Sequence, residues 1–290
     1  MTATLGILGA TGVYARHLIP RLAARGLRVR ALVRRPEAAG VARACGAEIH
    51  VVDIFDGGSL RAVLKGCDVG VNLATSLPGP SGRGDFAAND RLRRDGTPIW
   101  VDACKDAGVP RILQQSIAMV NAAGGDEWAD EHTVYSPRED SVAARAIDAA
   151  LAMEEAVRCS DLDWLILRGG LFYGPGTGFD DEWFARARAG KLRLPEEGED
   201  FVSLLHIVDM AEATLAAIER WTSRQALIVA DDRPARWREV FSYIAGVCGA
   251  AEPEPGGRAG FPSFRVRNQQ AREALAWAPF YADYRAGLVR

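Results

Sequence analysis

The sequence predicts an α/β fold, a doubly wound parallel sheet with a small C-terminal annex, and three observations predict it. Short apolar runs alternate with amphipathic stretches through the first two thirds of the 290 residues, the pattern of a parallel sheet covered by helices on both faces. The first run, Thr4-Leu5-Gly6-Ile7-Leu8, passes directly into a glycine-bearing turn and then a helical stretch. After Gly169 the alternation gives way to glycine- and proline-rich turns and separated helices. Residues 1–170 are therefore expected to form the sheet domain and 171–290 a smaller substrate-binding region interleaved with it.

Each element has its own signal. Strands are expected over Thr4–Leu8, Arg28–Val33, Glu48–Val52, Val69–Leu73, Arg111–Gln115 and Trp164–Leu167, all short apolar runs. Helical periodicity starts near Gly12, Pro36, Ser59, Ala88 and Ser141, then recurs over Asp180–Ala189, Val208–Trp221 and Arg236–Cys248. Two loops are longer than a connection needs, 76–85 and 117–140, and the second carries Trp128, His132 and Tyr135. Glu252–Gly260 reads as a flexible connection before a final segment.

Composition excludes several functions. A net charge of −3 supplies no basic field for nucleic acid or an acidic membrane. Cys45, Cys67, Cys104, Cys159 and Cys248 are scattered, with no C-x-x-C and no metal spacing, so they read as thiols in a reducing compartment. No leader precedes the first strand, and no apolar run approaches the ~18 residues that span a bilayer. A cytoplasmic protein acting on a small molecule is expected, its oligomeric state left open.

The turn Gly9-Ala10-Thr11-Gly12-Val13-Tyr14-Ala15 carries the first chemistry. A strand that turns through glycines into a helix aims backbone N–H groups and the positive helix end at a pyrophosphate. Gly9 permits the tight turn, Gly12 permits close approach of the phosphates, and Ala15 keeps the third position small. A purely structural turn is the alternative. The second strand ends in Val33-Arg34-Arg35-Pro36, where NAD-specific folds place an acid for the ribose hydroxyl. Guanidinium groups would instead bind a 2′-phosphate, so NADP(H) is expected, with Arg34 its first ligand and Arg35 its second. Two solvated arginines are the alternative here.

Further segments follow in order: Val52-Asp53-Ile54 with Ser59-Leu60, Asp68–Ala74 (DVGVNLA), and Gln115-Ser116-Ile117-Ala118-Met119-Val120. After them come Leu167-Arg168-Gly169-Gly170-Leu171-Phe172-Tyr173-Gly174-Pro175-Gly176, Leu205–Ala211 (LHIVDMA) and Asn268–Pro279 (NQQAREALAWAP). Together they resemble an extended short-chain dehydrogenase/reductase, similar to the NAD(P)-dependent epimerase/dehydratase group, over essentially the whole chain. The resemblance implies a Rossmann-type sheet. It places Asp53 and Ile54 at the adenine, lines the cofactor with Leu73, Ala74 and Thr75, and sets Leu171 and Phe172 in the turn beside the nicotinamide. It also makes Ser116 the active-site serine and gives His206 an orienting role in the annex.

The chain departs from that family at its acid–base pair. None of its six tyrosines has a lysine four residues later, and its only lysines are Lys65, Lys105 and Lys191. On the family register Ala146 replaces the tyrosine and Ala150 the lysine, ahead of Glu154 and Glu155, which default to the helix surface. Methyl groups donate no proton, so sugar epimerase and dehydratase activities are disfavoured. Hydride transfer survives, because it needs only cofactor and acceptor at the right distance and angle. The expected activity is NADPH-dependent reduction of a bulky, polycyclic aromatic ketone, as in atypical family members that tailor polyketides, with a neighbouring substrate phenol assisting. Ser116 is the remaining catalytic candidate. Trp128, Tyr135 and Tyr173 are candidates for the substrate wall, although each also suits packing. A non-catalytic dinucleotide-binding regulator and a cyclase or isomerase holding its cofactor structurally are the alternatives.

Overall fold

The computed structural model describes residues 2–78, 84–136, 141–258 and 260–289. In chain order the elements open as β1 (Thr4–Leu8), α1 (Val13–Ala24), β2 (Arg28–Val33), α2 (Gly40–Ala44), β3 (Glu48–Val51), α3 (Gly57–Leu64) and β4 (Val69–Asn72). Next come α4 (Phe86–Arg91), α5 (Thr97–Asp106), β5 (Arg111–Ile117), β6 (Trp128–Ala129), α6 (Val142–Arg158) and β7 (Asp163–Gly169). They are followed by β8 (Leu171–Tyr173), α7 (Phe179–Arg188), β9 (Arg193–Pro195), β10 (Phe201–Val202), β11 (Leu204–His206) and α8 (Ile207–Glu219). The rest is β12 (Gln225–Val229), β13 (Ala235–Arg236), α9 (Trp237–Cys248), β14 (Glu254–Gly257), β15 (Arg265–Val266), α10 (Gln269–Leu275) and α11 (Tyr284–Gly287).

Two compact units result, one of residues 1–116, 146–167 and 211–227, the other of 117–145, 168–210 and 228–290. The sequence predicts one boundary at 170, with the two parts interleaved. The units place the long loop with the second unit, and most of α8 with the first.

The first unit is built on a seven-stranded sheet in the order β12-β7-β5-β4-β1-β2-β3. β1 pairs in parallel with both β2 and β4, β2 with β3, and β4 with β5. Every residue of β1 and β4 is buried, as central strands covered on both faces require. Strand order reverses between β1 and β4, and ligands of open parallel sheets bind outside the carboxyl ends at such a point. The six strands expected from sequence are all present, with ends shifted by at most a few residues. β12 is an addition: its apolar run, Ala226–Ala230, is too short for periodicity to tell strand from helix. The core gathers Leu8, Leu32, Leu60, Trp100, Ile112 and Trp164.

The second unit uses short pairs instead of one sheet. β8 pairs with β11, β9 with β14 and β6 with β15, all in parallel, while β10 and β13 run antiparallel. Glu252–Gly260 is corrected here, because β14 inside it pairs with β9. A Cβ on Gly257 would lie 2.9 Å from the Leu194 carbonyl oxygen, so glycine is what lets that strand approach. The core is aromatic, with Trp183 edge-on to Trp237 at 5.8 Å and Phe184, Phe241 and Tyr284 around them. A polar knot ties the long loop into this unit. Arg168 Nη1 donates to Asn121 Oδ1 at 2.9 Å, Asn121 Nδ2 donates to the Thr133 carbonyl at 2.7 Å, and Glu131 Oε1 accepts from the Ile228 N–H at 2.9 Å.

Among the described residues no helix is long and apolar enough to cross a membrane. Nor does any group of three His, Cys, Asp or Glu among them stand where it could hold a metal ion. Gly79–Arg83 and Pro137–Asp140, parts of the two long loops, lie outside the described residues.

Candidate active site

The phosphate turn is assembled by packing of backbone on backbone. Gly9 has φ +78°, and a Cβ there would lie 2.8 Å from the Leu73–Ala74 main chain. The Gly12 N–H donates to the Gly9 carbonyl at 2.9 Å and closes the turn. Gly12 is exposed and begins α1; among the described residues no side chain caps the first-turn N–H groups, and the first turn carries no acid. Those N–H groups and the positive helix end are therefore suited to an anionic acceptor. Thr11 and Val13 flank them, half-buried. Tyr14 is a correction. Its side chain is buried and its hydroxyl pairs with the Thr214 hydroxyl, with burial pushing the phenol well above its ordinary pKa. Only its backbone N–H remains for a phosphate. With Ala15, Leu18, Ile19 and Leu22 it forms the buried stripe of α1.

The parallel pairing brings the other cofactor candidates of this unit to the same edge. Arg34 and Arg35 follow β2, both exposed. Neither guanidinium has an ion pair or hydrogen bond among the described residues. Asp53, just past β3, is exposed and accepts the Phe55 N–H at 3.0 Å. Ile54 beside it is buried, and Gly96 gives it room, because a Cβ there would lie 2.8 Å from Ile54 Cδ1. Past β4, Leu73 is buried, Ala74 half-buried and Thr75 exposed. Asn72 shapes that turn: its Oδ1 accepts the Ala74 N–H at 3.1 Å while its Nδ2 donates to Gln114 Oε1 at 3.0 Å. Asn72 lies within the DVGVNLA segment, which by itself assigns it no role. This edge offers first-turn N–H groups, a glycine cradle and two unpaired guanidiniums, which fit the phosphates of a nicotinamide dinucleotide.

At the end of β5 the structure redirects Ser116. It is fully buried, and its hydroxyl donates to Glu154 Oε1 at 2.6 Å. Glu154, expected on the helix surface, is buried too and accepts from Arg158 Nη2 at 3.1 Å. The serine proton is thus committed to a carboxylate and is not aimed at a carbonyl. On α6, Ala146 is half-buried and Ala150 fully buried. Ser116→Ala is expected to lower stability by about 1–3 kcal/mol, because a buried acceptor loses a partner. Turnover should fall by no more than about tenfold. Urea unfolding and NADPH oxidation measure both, and a turnover loss of several orders of magnitude at unchanged stability would return Ser116 to proton donation.

The remaining candidates lie in the second unit. Leu171 is buried, and the Phe172 ring lies against Gly169, where a Cβ would come within 2.5 Å of it. Tyr173 is corrected as a substrate wall, being fully buried with its ring edge-on to His206 at 5.1 Å and 79°. Among the described residues its hydroxyl has no hydrogen-bond partner, and burial pushes its pKa far up. Gly287 packs on that hydroxyl, leaving no room for a Cβ. Trp128 is exposed in β6, with the guanidiniums of Arg265 and Arg267 at 4.1 and 4.6 Å from its ring. Tyr135 packs part-buried against the aromatic core. His206 is buried under Tyr281 at 3.8 Å, and its Nδ1 accepts the Val208 N–H at 3.3 Å. Asp209 accepts the N–H groups of Phe280 and Tyr281 at 2.8 and 2.9 Å, fastening that segment.

Comparison with known proteins adds a family and relatives. The model of an NAD(P)H-binding family matches residues 9–182. A 3-diazoavenalumate denitrifying reductase of Streptomyces is 34% identical over 98% of both chains. A 4-hydroxy-2-methyl-3-oxo-4-farnesyl-3,4-dihydroquinoline-1-oxide ketoreductase of Stigmatella aurantiaca is 25% identical, over 82% of this chain and 71% of its own. A ceramide reductase of Caulobacter vibrioides is 29% identical over 87% and 74%. Among solved structures, UDP-glucose 4-epimerase of Thermotoga maritima superposes with a TM-score of 0.81 at 18% identity, covering 98% of this chain and 96% of its own. That likeness shows the fold.

Proposed function

We propose, for a chain that belongs to the NAD(P)H-binding family and is an NAD(P)H-dependent oxidoreductase, that NADPH is its reductant and an aryl diazo acid its hydride acceptor. The observation that carries this reading is α6, which presents Ala146 and Ala150 where the related enzymes it resembles keep a proton-donating pair. Denitrifying reduction needs no such pair. An arenediazonium ion plus NADPH gives the arene, N2 and NADP+, so charge and atoms balance without a proton from the enzyme. The relative that is 34% identical over nearly the whole chain is named for a reaction of this class. Reducing a ketone is different, since the alkoxide must be protonated and a missing positioned acid costs a factor of ~10²–10⁴.

The 25% identical ketoreductase favours a second reading, reduction of a polycyclic aromatic ketone whose neighbouring phenol polarises the carbonyl. One assay separates the two. With 4-hydroxybenzenediazonium as acceptor, one N2 should be released per NADPH oxidised, at a kcat nearly flat from about pH 6 to 8 because no enzymic acid titrates. Turnover of a phenol-bearing polycyclic ketone with no N2 released from the diazonium would overturn the first reading in favour of the second.

A further inference from the structure

The last stretch of the second unit, residues 280–288, is a strap fastened at several points. Asp209 holds its first two N–H groups. The Asp232 N–H donates to the Ala282 carbonyl at 3.1 Å, and Arg233 Nη1 pairs with Asp283 at 3.4 Å. The Tyr243 hydroxyl donates to the Arg285 carbonyl at 3.0 Å, and the Tyr281 ring lies against His206. Within the strap α11 turns Tyr284 into the core and sets Gly287 on the Tyr173 hydroxyl.

Three buried polar atoms here have no hydrogen-bond partner among the described residues: the hydroxyls of Tyr173 and Tyr284, and Asp231 Oδ2. Asp231 is the costly one, because a buried carboxylate needs a cation or several donors. Its Oδ1 accepts the Arg233 N–H at 3.1 Å. Its main chain is pinned, with the N–H on the Leu204 carbonyl at 2.9 Å and the carbonyl on Asn268 Nδ2 at 3.3 Å. The neighbouring charges are already matched. Asp232 pairs with Arg272 at 2.6 Å, Asp283 with Arg233 and Arg285, and Asp209 with its two N–H groups. Each of those cations serves another carboxylate, and among the described residues none pairs with Asp231. Burial lifts the Asp231 carboxyl well above the ordinary carboxylate range; the Arg233 N–H opposes the rise, and Asp283, Asp232 and Asp209 add to it.

We propose that Asp231 is a proton-operated latch: as the neutral acid it lets residues 280–288 lie closed, and its ionisation releases them. The acid has one O–H to give. Asp231 is the carboxylate that acts most strongly on the Tyr173 phenol, so that oxygen is where the proton can point, directly or through one buried water. The anion is a buried charge without a cation, and it reaches water by lifting the strap. The sign follows from which state holds the proton. In the open form the carboxyl titrates near its ordinary value, about 4, while the closed form keeps the proton to higher pH. Closure is therefore most favoured at low pH. From about pH 4 up to the raised closed-state pKa, the opening constant rises about tenfold per pH unit. The latch is independent of which acceptor the protein reduces.

Hydrogen exchange of the full chain, read by mass spectrometry on the C-terminal peptide and corrected for intrinsic rates, measures strap opening. In wild type the opening constant should rise about tenfold per pH unit from about pH 5 until the closed-state carboxyl titrates. A peptide spanning β1 should show no such slope, which separates strap opening from global unfolding. Asp231→Asn, a neutral isostere, leaves His206, Asp209, Asp232 and Asp283 in place and should open equally at every pH. A flat wild-type profile, or a wild-type slope retained in Asp231→Asn, would overturn the proposal. Should Asp231→Asn prove unable to fold, carbon-13 NMR of the wild-type aspartate carboxyls decides. One carboxyl still protonated at about pH 6, two units above the ordinary value, and titrating in step with strap opening upholds the latch. Aspartates all ionised at that pH would abolish it.

Discussion

Gly12→Val is expected to fold like the parent and to lose dinucleotide binding, with NADPH affinity falling at least about a hundredfold, roughly 2.7 kcal/mol. The backbone at Gly12 is extended, φ −68° and ψ 163°, so any residue can adopt it. A Cβ there meets only the Gly9 carbonyl, at 3.3 Å. What the added isopropyl group fills is the space in front of the uncapped N–H groups of α1, where a phosphate must come. Gly9→Ala should behave in the opposite way. Its left-handed φ and the 2.8 Å approach to the Leu73–Ala74 backbone leave nothing flexible to yield, and strain of this kind costs on the order of 1–3 kcal/mol. Thermal unfolding and NADPH fluorescence on both variants separate a fold residue from a ligand residue. Normal NADPH binding by Gly12→Val would mean that the turn is purely structural.

Much of this was legible because parallel sheets write themselves plainly. Central strands such as β1 and β4 must be apolar throughout, and the glycine turn follows directly on β1. The failures concern side-chain direction. Tyr14 sits within the phosphate motif, yet it shares a spacing of four with Leu18 and Leu22, which sends it to the core. Tyr173 follows Leu171 by two in a strand, so the two share a buried face. Glu154 is four residues from Ala150 and three from Val157, and that stripe was the available sign of its burial.

Cofactor selectivity gives the other large effect. Wild type should bind NADPH more tightly than NADH, and Arg34→Ala should weaken NADPH by about 1–3 kcal/mol, the range for a charge-assisted hydrogen bond, with little change for NADH. Arg34→Asp should do more, replacing attraction for the 2′-phosphate by repulsion and offering the ribose hydroxyl an acceptor, so that the preference inverts. Arg35 stands next to it, equally exposed, and Arg35→Ala should show a smaller loss of the same sign. Raised salt should shrink the NADPH advantage, since these charges are solvent-exposed and screened within about 10 Å at 0.1 M. Equal affinities for the two cofactors in wild type would overturn the assignment. Neither guanidinium has an intramolecular partner among the described residues, so both variants should unfold at the parent's temperature. A drop in NADPH affinity without a drop in stability can then come only from the ligand contact.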